Sequence, residues 1–181
     1  FSDMYSLLYH NHPPTLITQI GDPVDVVPKT IHDKQLKHRS LQGFNIQPEE
    51  DYLESRKPVL VNNDCRIILS APTRSMTDYF YKNADADVCI FVHVGSGILK
   101  TMYGDIRFEY GDYLVIPRGT IYQLEFDTTD NRLFIVESSS PILTPKRYRN
   151  DFGQLMEHSP FCERDIRKPN VLVTYDEKGD F

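Results

Sequence analysis

The sequence predicts an all-β protein built around a barrel of short strands. Between Val88 and Gly119, runs of about five to seven residues rich in Val, Ile, Tyr and Phe suit strands with at least one buried face. Three such runs are separated at Gly95-Ser96-Gly97, Gly104-Asp105 and Gly111-Asp112 and closed by Pro117-Arg118-Gly119. Residues of these types take positive φ or pre-set a bend, so the chain reverses at each cluster and an antiparallel meander is expected. Composition agrees, because 12 prolines, 9 glycines and no tryptophan in 181 residues favour strands and loops over helices.

In chain order, Pro13, Pro14, Pro23 and Pro28 forbid a continuous helix over residues 1–30 and predict an extended arm lying along another surface. Residues 31–50 are polar with an apolar island at Phe44 and Ile46, read as a loop with one short strand. Val59 to Val61 and Cys65 to Leu69, split by Asn62-Asn63-Asp64, predict a hairpin. Residues 73–86 are mixed. Ile121 to Phe126 and Leu133 to Glu137 predict two further strands flanking a turn at 127–131. Beyond Ser138, Pro141, Pro145, Pro160 and Pro169 break the chain into a long connection of the kind that is often functional or interfacial, and VLVTY at 171–175 predicts a last strand. The expected organisation is an arm and loop over 1–54, a barrel over 55–140 and a connecting segment over 141–181.

With 40% hydrophobic and 25% charged residues the chain has the make-up of an ordinary globular protein. A net charge of −6 argues against non-specific nucleic-acid binding, which needs a basic surface. Cys65, Cys89 and Cys162 are odd in number and widely spaced, which suggests neither a disulfide framework nor a zinc site and fits a reducing compartment. No run approaches a membrane span or a signal peptide. The absence of an initiator Met and the ending at Gly179-Asp180-Phe181 read as part of a longer polypeptide.

Gly111-Asp112, four residues, Pro117, one residue and Gly119 resemble the second motif of the cupins, small jelly-roll-like β-barrels. YSLLYHNHPP near the start, residues 80–126 and RLFIVESSSPIL narrow the resemblance to the N-terminal half of homogentisate 1,2-dioxygenases. That resemblance implies a cytoplasmic two-cupin polypeptide, assembling as a trimer or a dimer of trimers, that cleaves the ring of homogentisate with Fe(II) in tyrosine and phenylalanine breakdown. Two His and one carboxylate hold iron in such sites and leave positions open for a small aromatic acid and O2.

A metal-binding cupin carries His-x-His, three or four residues, Glu, six residues and Gly in its first motif. Counted back from Gly95, the Glu position is Val88 and the His positions are Tyr81 and Asn83, or Lys82 and Ala84 at the shorter spacing. The second-motif histidine falls at Tyr122. None of these is an iron ligand, so the resemblance implies a degenerate barrel without metal, the Fe(II) being held by a C-terminal cupin not present here. Asp85 and Asp87 are the nearby carboxylates, suited to a hard cation or to a solvated turn. The rival expectation is a metal-free binding or assembly module with no chemistry. A third is a cupin enzyme acting on another hydroxylated aromatic acid.

Other candidates each carry a plain alternative. His10 and His12 would share a strand face, as surface or interface residues, as neighbours of another subunit's active site, or as a metal pair. His93, in CIFVHV, reads as a strand histidine satisfied by a polar neighbour, and Cys89 as a small hydrophobe. Lys146-Arg147-Tyr148-Arg149 reads as a solvated loop or an intersubunit contact, and Arg118 as a salt-bridge partner or a side chain reaching toward a pocket or another subunit.

Overall fold

The computed structural model describes residues 7, 9–11, 13, 15–31, 35 and 37–173. Thr30–Leu143 with Ile166–Phe181 forms one compact unit, and Phe1–Lys29 with Thr144–Asp165 forms another. The first unit is an all-β barrel of two antiparallel sheets. Its strands are β1 (Lys57–Val61), β2 (Cys65–Ser70), β3 (Tyr81–Lys82), β4 (Asp87–Val94), β5 (Gly97–Thr101), β6 (Gly104–Phe108), β7 (Tyr113–Ile116), β8 (Ile121–Phe126) and β9 (Arg132–Ser138). One sheet has the order β1-β2-β9-β4-β7 and the other β3-β8-β5-β6, the interleaved connectivity of a jelly roll.

The expected hairpin of β1 and β2 is present, with Asn62 Oδ1 accepting the N–H groups of Asp64 and Cys65 at 2.8 and 2.7 Å. The stretch from Val88 to Gly119 holds four strands, not three, and they do not meander. Only β5 and β6 pair as sequence neighbours, while β4 pairs with β7 and β9 across the fold. The reason lies at Gly95-Ser96-Gly97, which is a corner between sheets. Gly95 has φ +111° and its missing Cβ leaves room for the Asn131 side chain, while a Cβ on Gly97 would stand 2.0 Å from the Glu125 carbonyl oxygen. Asn131 locks that corner from below, donating to the Pro72 and Thr128 carbonyls at 2.9 and 2.8 Å.

Alternation puts Ile68, Val88, Ile90, Val92, Leu99, Phe108, Leu114, Ile116, Leu124, Leu133 and Ile135 into the space between the sheets. Phe108 and Phe126 meet edge to face at 5.9 Å. Met76 and Tyr52 join this core from the connections, the backbone N–H of Met76 donating to Leu124 O at 3.0 Å.

Two expectations change. Phe44 lies in a 3-10 turn, Gly43–Asn45, because the predicted strand around it finds no sheet neighbour. Val171 to Val173 carry no strand, and Thr174 and Tyr175 lie outside the described residues. Within the other unit, residues 15–29 have no regular strand, and the basic cluster forms a 3-10 turn, Lys146–Tyr148, with the Arg147 guanidinium 4.7 Å from the Tyr148 ring centre. Among the described residues no helix is long and apolar enough to cross a membrane.

Candidate functional site

Three of the four degenerate ligand positions come together at one mouth of the barrel. Tyr81 on β3 stands opposite Tyr122 on β8 in the ladder, with ring centres 5.5 Å apart and nearly perpendicular. Asn83, just past β3, donates through Nδ2 to Glu137 Oε1 at 3.0 Å. Val88, the fourth, sits beside Glu137 in the ladder of β4 and β9 and is buried apolar core.

The centre of the cluster comes from residues that sequence reasoning passed over. Asp51 begins a turn whose Leu53 and Glu54 N–H groups donate to its carboxylate at 3.0 and 3.1 Å, and Tyr79 donates its hydroxyl to the other oxygen at 2.7 Å. Burial and that carboxylate push the Tyr79 phenol up. The same turn is tied to β2 by the Ser55 and Ser70 hydroxyls, 2.6 Å apart. So anchored, it sends Tyr52 and Arg56 inward, four residues apart. The Tyr52 and Tyr122 hydroxyls lie 3.3 Å apart, both buried. Arg56 Nη2 forms an ion pair with Glu137 Oε1, its Nη1 donates to the Tyr81 hydroxyl at 3.3 Å, and its guanidinium lies 5.6 and 5.8 Å from the Tyr52 and Tyr81 ring centres. Arg66 Nη1 approaches Glu137 Oε2 at 4.0 Å.

Electrostatics follow from this burial. Loss of water raises the pKa of Tyr52 and more strongly that of Tyr122, so both remain neutral hydroxyls. Burial opposes charge on Arg56 as well, but its acidic surroundings outweigh that and hold the guanidinium protonated. Glu137 supplies the negative charge. Arg56 Nε and Thr120 Oγ1 are buried without a hydrogen-bond partner among the described residues.

These residues do not fit Fe(II). Two neutral phenols, an amide and a valine stand at the three His and one Glu positions of the two motifs, and Arg56 places a fixed positive charge beside them. Of the cluster's buried carboxylates, Glu137 is already paired with that charge, and Asp51 is taken up by the Leu53 and Glu54 N–H groups and the Tyr79 hydroxyl. The cluster instead ties the sheets together, Glu137 belonging to one and Tyr81 and Tyr122 to the other. Among the described residues no group of three or more His, Cys, Asp or Glu is arranged to hold a metal.

The remaining candidates stand apart from this cluster. Asp87 is not the solvated turn residue its surroundings in sequence predict. Its carboxylate is buried and accepts the N–H groups of Arg118 at 3.0 Å and Ile142 at 2.8 Å, and Arg118 Nε at 3.3 Å. Burial pushes its pKa up, but these donors outweigh it and hold the carboxyl below the usual range. Arg118 is therefore ion-paired with Asp87. Asp85 is exposed. His93 is exposed and meets rings, not a polar group, with Phe44 at 4.8 Å, Phe91 at 5.8 Å and Tyr110 at 6.4 Å. Cys89 is a half-buried thiol whose pKa desolvation raises. His10 is exposed, and His12 lies outside the described residues.

Tyr52 and Arg56 escaped notice because their roles need contacts 70 and 81 residues away. A signal existed at the other end: Leu133, Ile135 and Glu137 occupy successive inward positions of β9, and a carboxylate in an apolar row requires a partner.

A protein of Saccharolobus solfataricus provisionally named as a dioxygenase is 39% identical over 181 residues, covering 100% of this chain and 46% of the relative. The chain thus spans about half the length of that curated relative. Among solved structures, KdgF from Halomonas sp. aligns over 48% of this chain and 78% of its own at 19% identity and a TM-score of 0.43. A cupin-2 domain protein from Shewanella frigidimarina aligns over 46% and 79% at 20% identity and a TM-score of 0.40. These are partial likenesses, too low in score to add to what the strand order shows. The family described as homogentisate 1,2-dioxygenase N-terminal matches residues 52–154, a span that contains Tyr52, Arg56, Tyr81, Asn83, Tyr122 and Glu137, and the chain belongs to that family.

Proposed function

We propose that this chain is the metal-free half of a homogentisate 1,2-dioxygenase-like enzyme, with Fe(II) held by a second cupin in the complete polypeptide. In this reading the barrel is scaffold and subunit contact, and the complete protein cleaves the ring of homogentisate or a closely related aromatic acid as a cytoplasmic homo-oligomer, a trimer or a dimer of trimers. The observation that carries it is the barrel mouth, where Arg56, Glu137 and the tyrosines fill the place at which the ligands of a metal cupin would converge. Family membership and the relative of about twice the length support the rest. Three free cysteines fit a reducing compartment.

Oxygen uptake in the presence of homogentisate and Fe(II) tests the assignment. The 181-residue chain is expected to show none, and a polypeptide carrying both halves to consume O2 with formation of a ring-opened product. Ring cleavage by this chain alone would overturn the reading. An inactive full-length protein whose second half lacks a His, Glu and His set would favour a binding or assembly module.

A further inference from the structure

At the end of the five-stranded sheet away from Glu137, the 3-10 turn Gly43–Asn45 and the strands beneath it enclose a pocket of about 190 Å³. Leu133, which lines it, stands four residues before Glu137 on β9, about 13 Å along an extended strand. The pocket is therefore separate from the barrel mouth.

Rings and aliphatic chains make its walls. Phe44 of the turn meets the His93 ring edge to face at 4.8 Å, and Leu69 and Phe134 are cross-strand partners on β2 and β9. A Cβ on Gly43 would stand 3.4 Å from Leu69 Cδ1, so the turn rests directly on that side chain. Phe44 and Phe134 remain 62% and 39% exposed, which leaves the pocket open to water.

One charge is set into this apolar lining. Arg132 is held there by Nη1, which donates to Ile46 O at 2.8 Å, and by Nε, which donates to Asp130 Oδ1 at 3.2 Å. Its Nη2 makes no hydrogen bond among the described residues. The Arg132 side chain is 19% exposed and that of Asp130 71%, so water and salt weaken the hold of that carboxylate on the guanidinium. Arg keeps its proton at any working pH and makes strong, charge-assisted hydrogen bonds to carboxylates.

We propose that this pocket binds a small single-ring aromatic carboxylate, with the ring against Phe44, Leu69 and Phe134 and the carboxylate on Arg132. Size selects the ring, because a cavity of about 150 Å³ takes benzene and this one leaves room for little more than a carboxylate beside it. Charge selects the acid. An uncharged ring would cover Arg132 without giving it a new acceptor, and a desolvated donor left unpaired costs affinity. Edge and offset contacts with Phe44, His93 and Phe134 favour an aromatic over an aliphatic acid. The site needs neither a metal nor a second half of the polypeptide.

Phenylacetate titrated into the 181-residue chain, followed by amide nitrogen–proton NMR, tests the site. Saturable shifts are expected at residues 43–46, 69, 93 and 132–134, with a Kd of about 1 mM, the strength available to a ligand of about ten heavy atoms. Phenylacetamide has the same shape without the charge and is expected to bind at least about tenfold more weakly, a comparison that uses only the unaltered chain. Arg132→Gln is expected to remove the preference for the acid and Arg132→Lys to keep part of it, while Phe134→Ala weakens both probes. No saturation at concentrations far above that Kd would overturn the proposal. Equal affinity for the two probes, a preference for the acid that survives Arg132→Gln, or shifts centred on Arg56, Tyr81 and Glu137 would overturn it as well. Iron content and ring cleavage do not enter these outcomes, so they bear on the pocket independently of the barrel mouth.

Discussion

On the outer face of the four-stranded sheet, Arg107, Ile98 and Glu125 stand in one row and Asp105, Lys100 and Gln123 in the next. Lys100 pairs there with Glu125, and Arg107 with Asp127. The five-stranded sheet sets nine uncharged residues in two rows, Leu60, Ile67, Val136, Cys89 and Val115 in one and Leu69, Phe134, Phe91 and Tyr113 in the other, with Lys57 at the β1 end of the second. Both sheets share one apolar interior, so burial within the barrel does not explain the difference. A strand that meets water on one face alternates, as Asp105-Ile106-Arg107-Phe108 does in β6, while Cys89-Ile90-Phe91-Val92 in β4 is apolar on both faces.

The comparison can be broken most forcefully from within. Glu137 lies on the five-stranded sheet and holds groups of the other, so Glu137→Ala leaves Arg56 buried and unpaired, and a loss of about 3–5 kcal/mol is expected in denaturant unfolding. A loss under about 1 kcal/mol would mean that the cluster does not tie the sheets. Next in size is Gly97→Ala. Its methyl group would meet the Glu125 carbonyl of the neighbouring strand at 2.0 Å, and a loss of about 2–3 kcal/mol with a lowered Tm is expected as β5 and β8 are pushed apart.

Asp87→Asn removes the charge and one of the two buried oxygens that together accept three N–H groups, and is expected to cost about 2 kcal/mol at neutral pH. The sign of its pH dependence is fixed by the lowered folded-state pKa. Stability from Asp87 is fully present above the unfolded carboxylate value of about 3.9 and is lost as pH falls through the lower folded value. The gap in unfolding free energy between the native chain and Asp87→Asn should therefore narrow below pH 4, and a gap that widens would contradict the assignment. Smallest is Arg107→Ala on the charged face, an exposed pair with Asp127, where a change within about 0.5 kcal/mol is expected.

Much of the barrel was legible because its signals are local. Strand runs, the Asn62-Asn63-Asp64 turn and the Gly111 to Gly119 motif each lie within a few residues. Strand pairing was less legible, since Gly95-Ser96-Gly97 looks the same whether the chain reverses into a hairpin or crosses to the other sheet. Only the distant Asn131 and Glu125, packed against those glycines, decide between the two. The ligand positions at Tyr81, Asn83, Val88 and Tyr122 were found by counting. What replaced the ligands was not, because Tyr52 and Arg56 arrive from a turn that reads as polar loop and meet Glu137 only in the folded chain. His93 misled for a related reason, since its aromatic neighbours come from three separate segments.

Equilibrium dialysis of the 181-residue chain against Fe(II) under anaerobic conditions, with iron counted per chain by elemental analysis, tests the central claim most directly. With Arg56 and Glu137 paired among neutral tyrosines, bound iron should stay far below one per chain. Stoichiometric iron that is lost on substitution of Tyr81, Asn83 or Tyr122 would contradict the account.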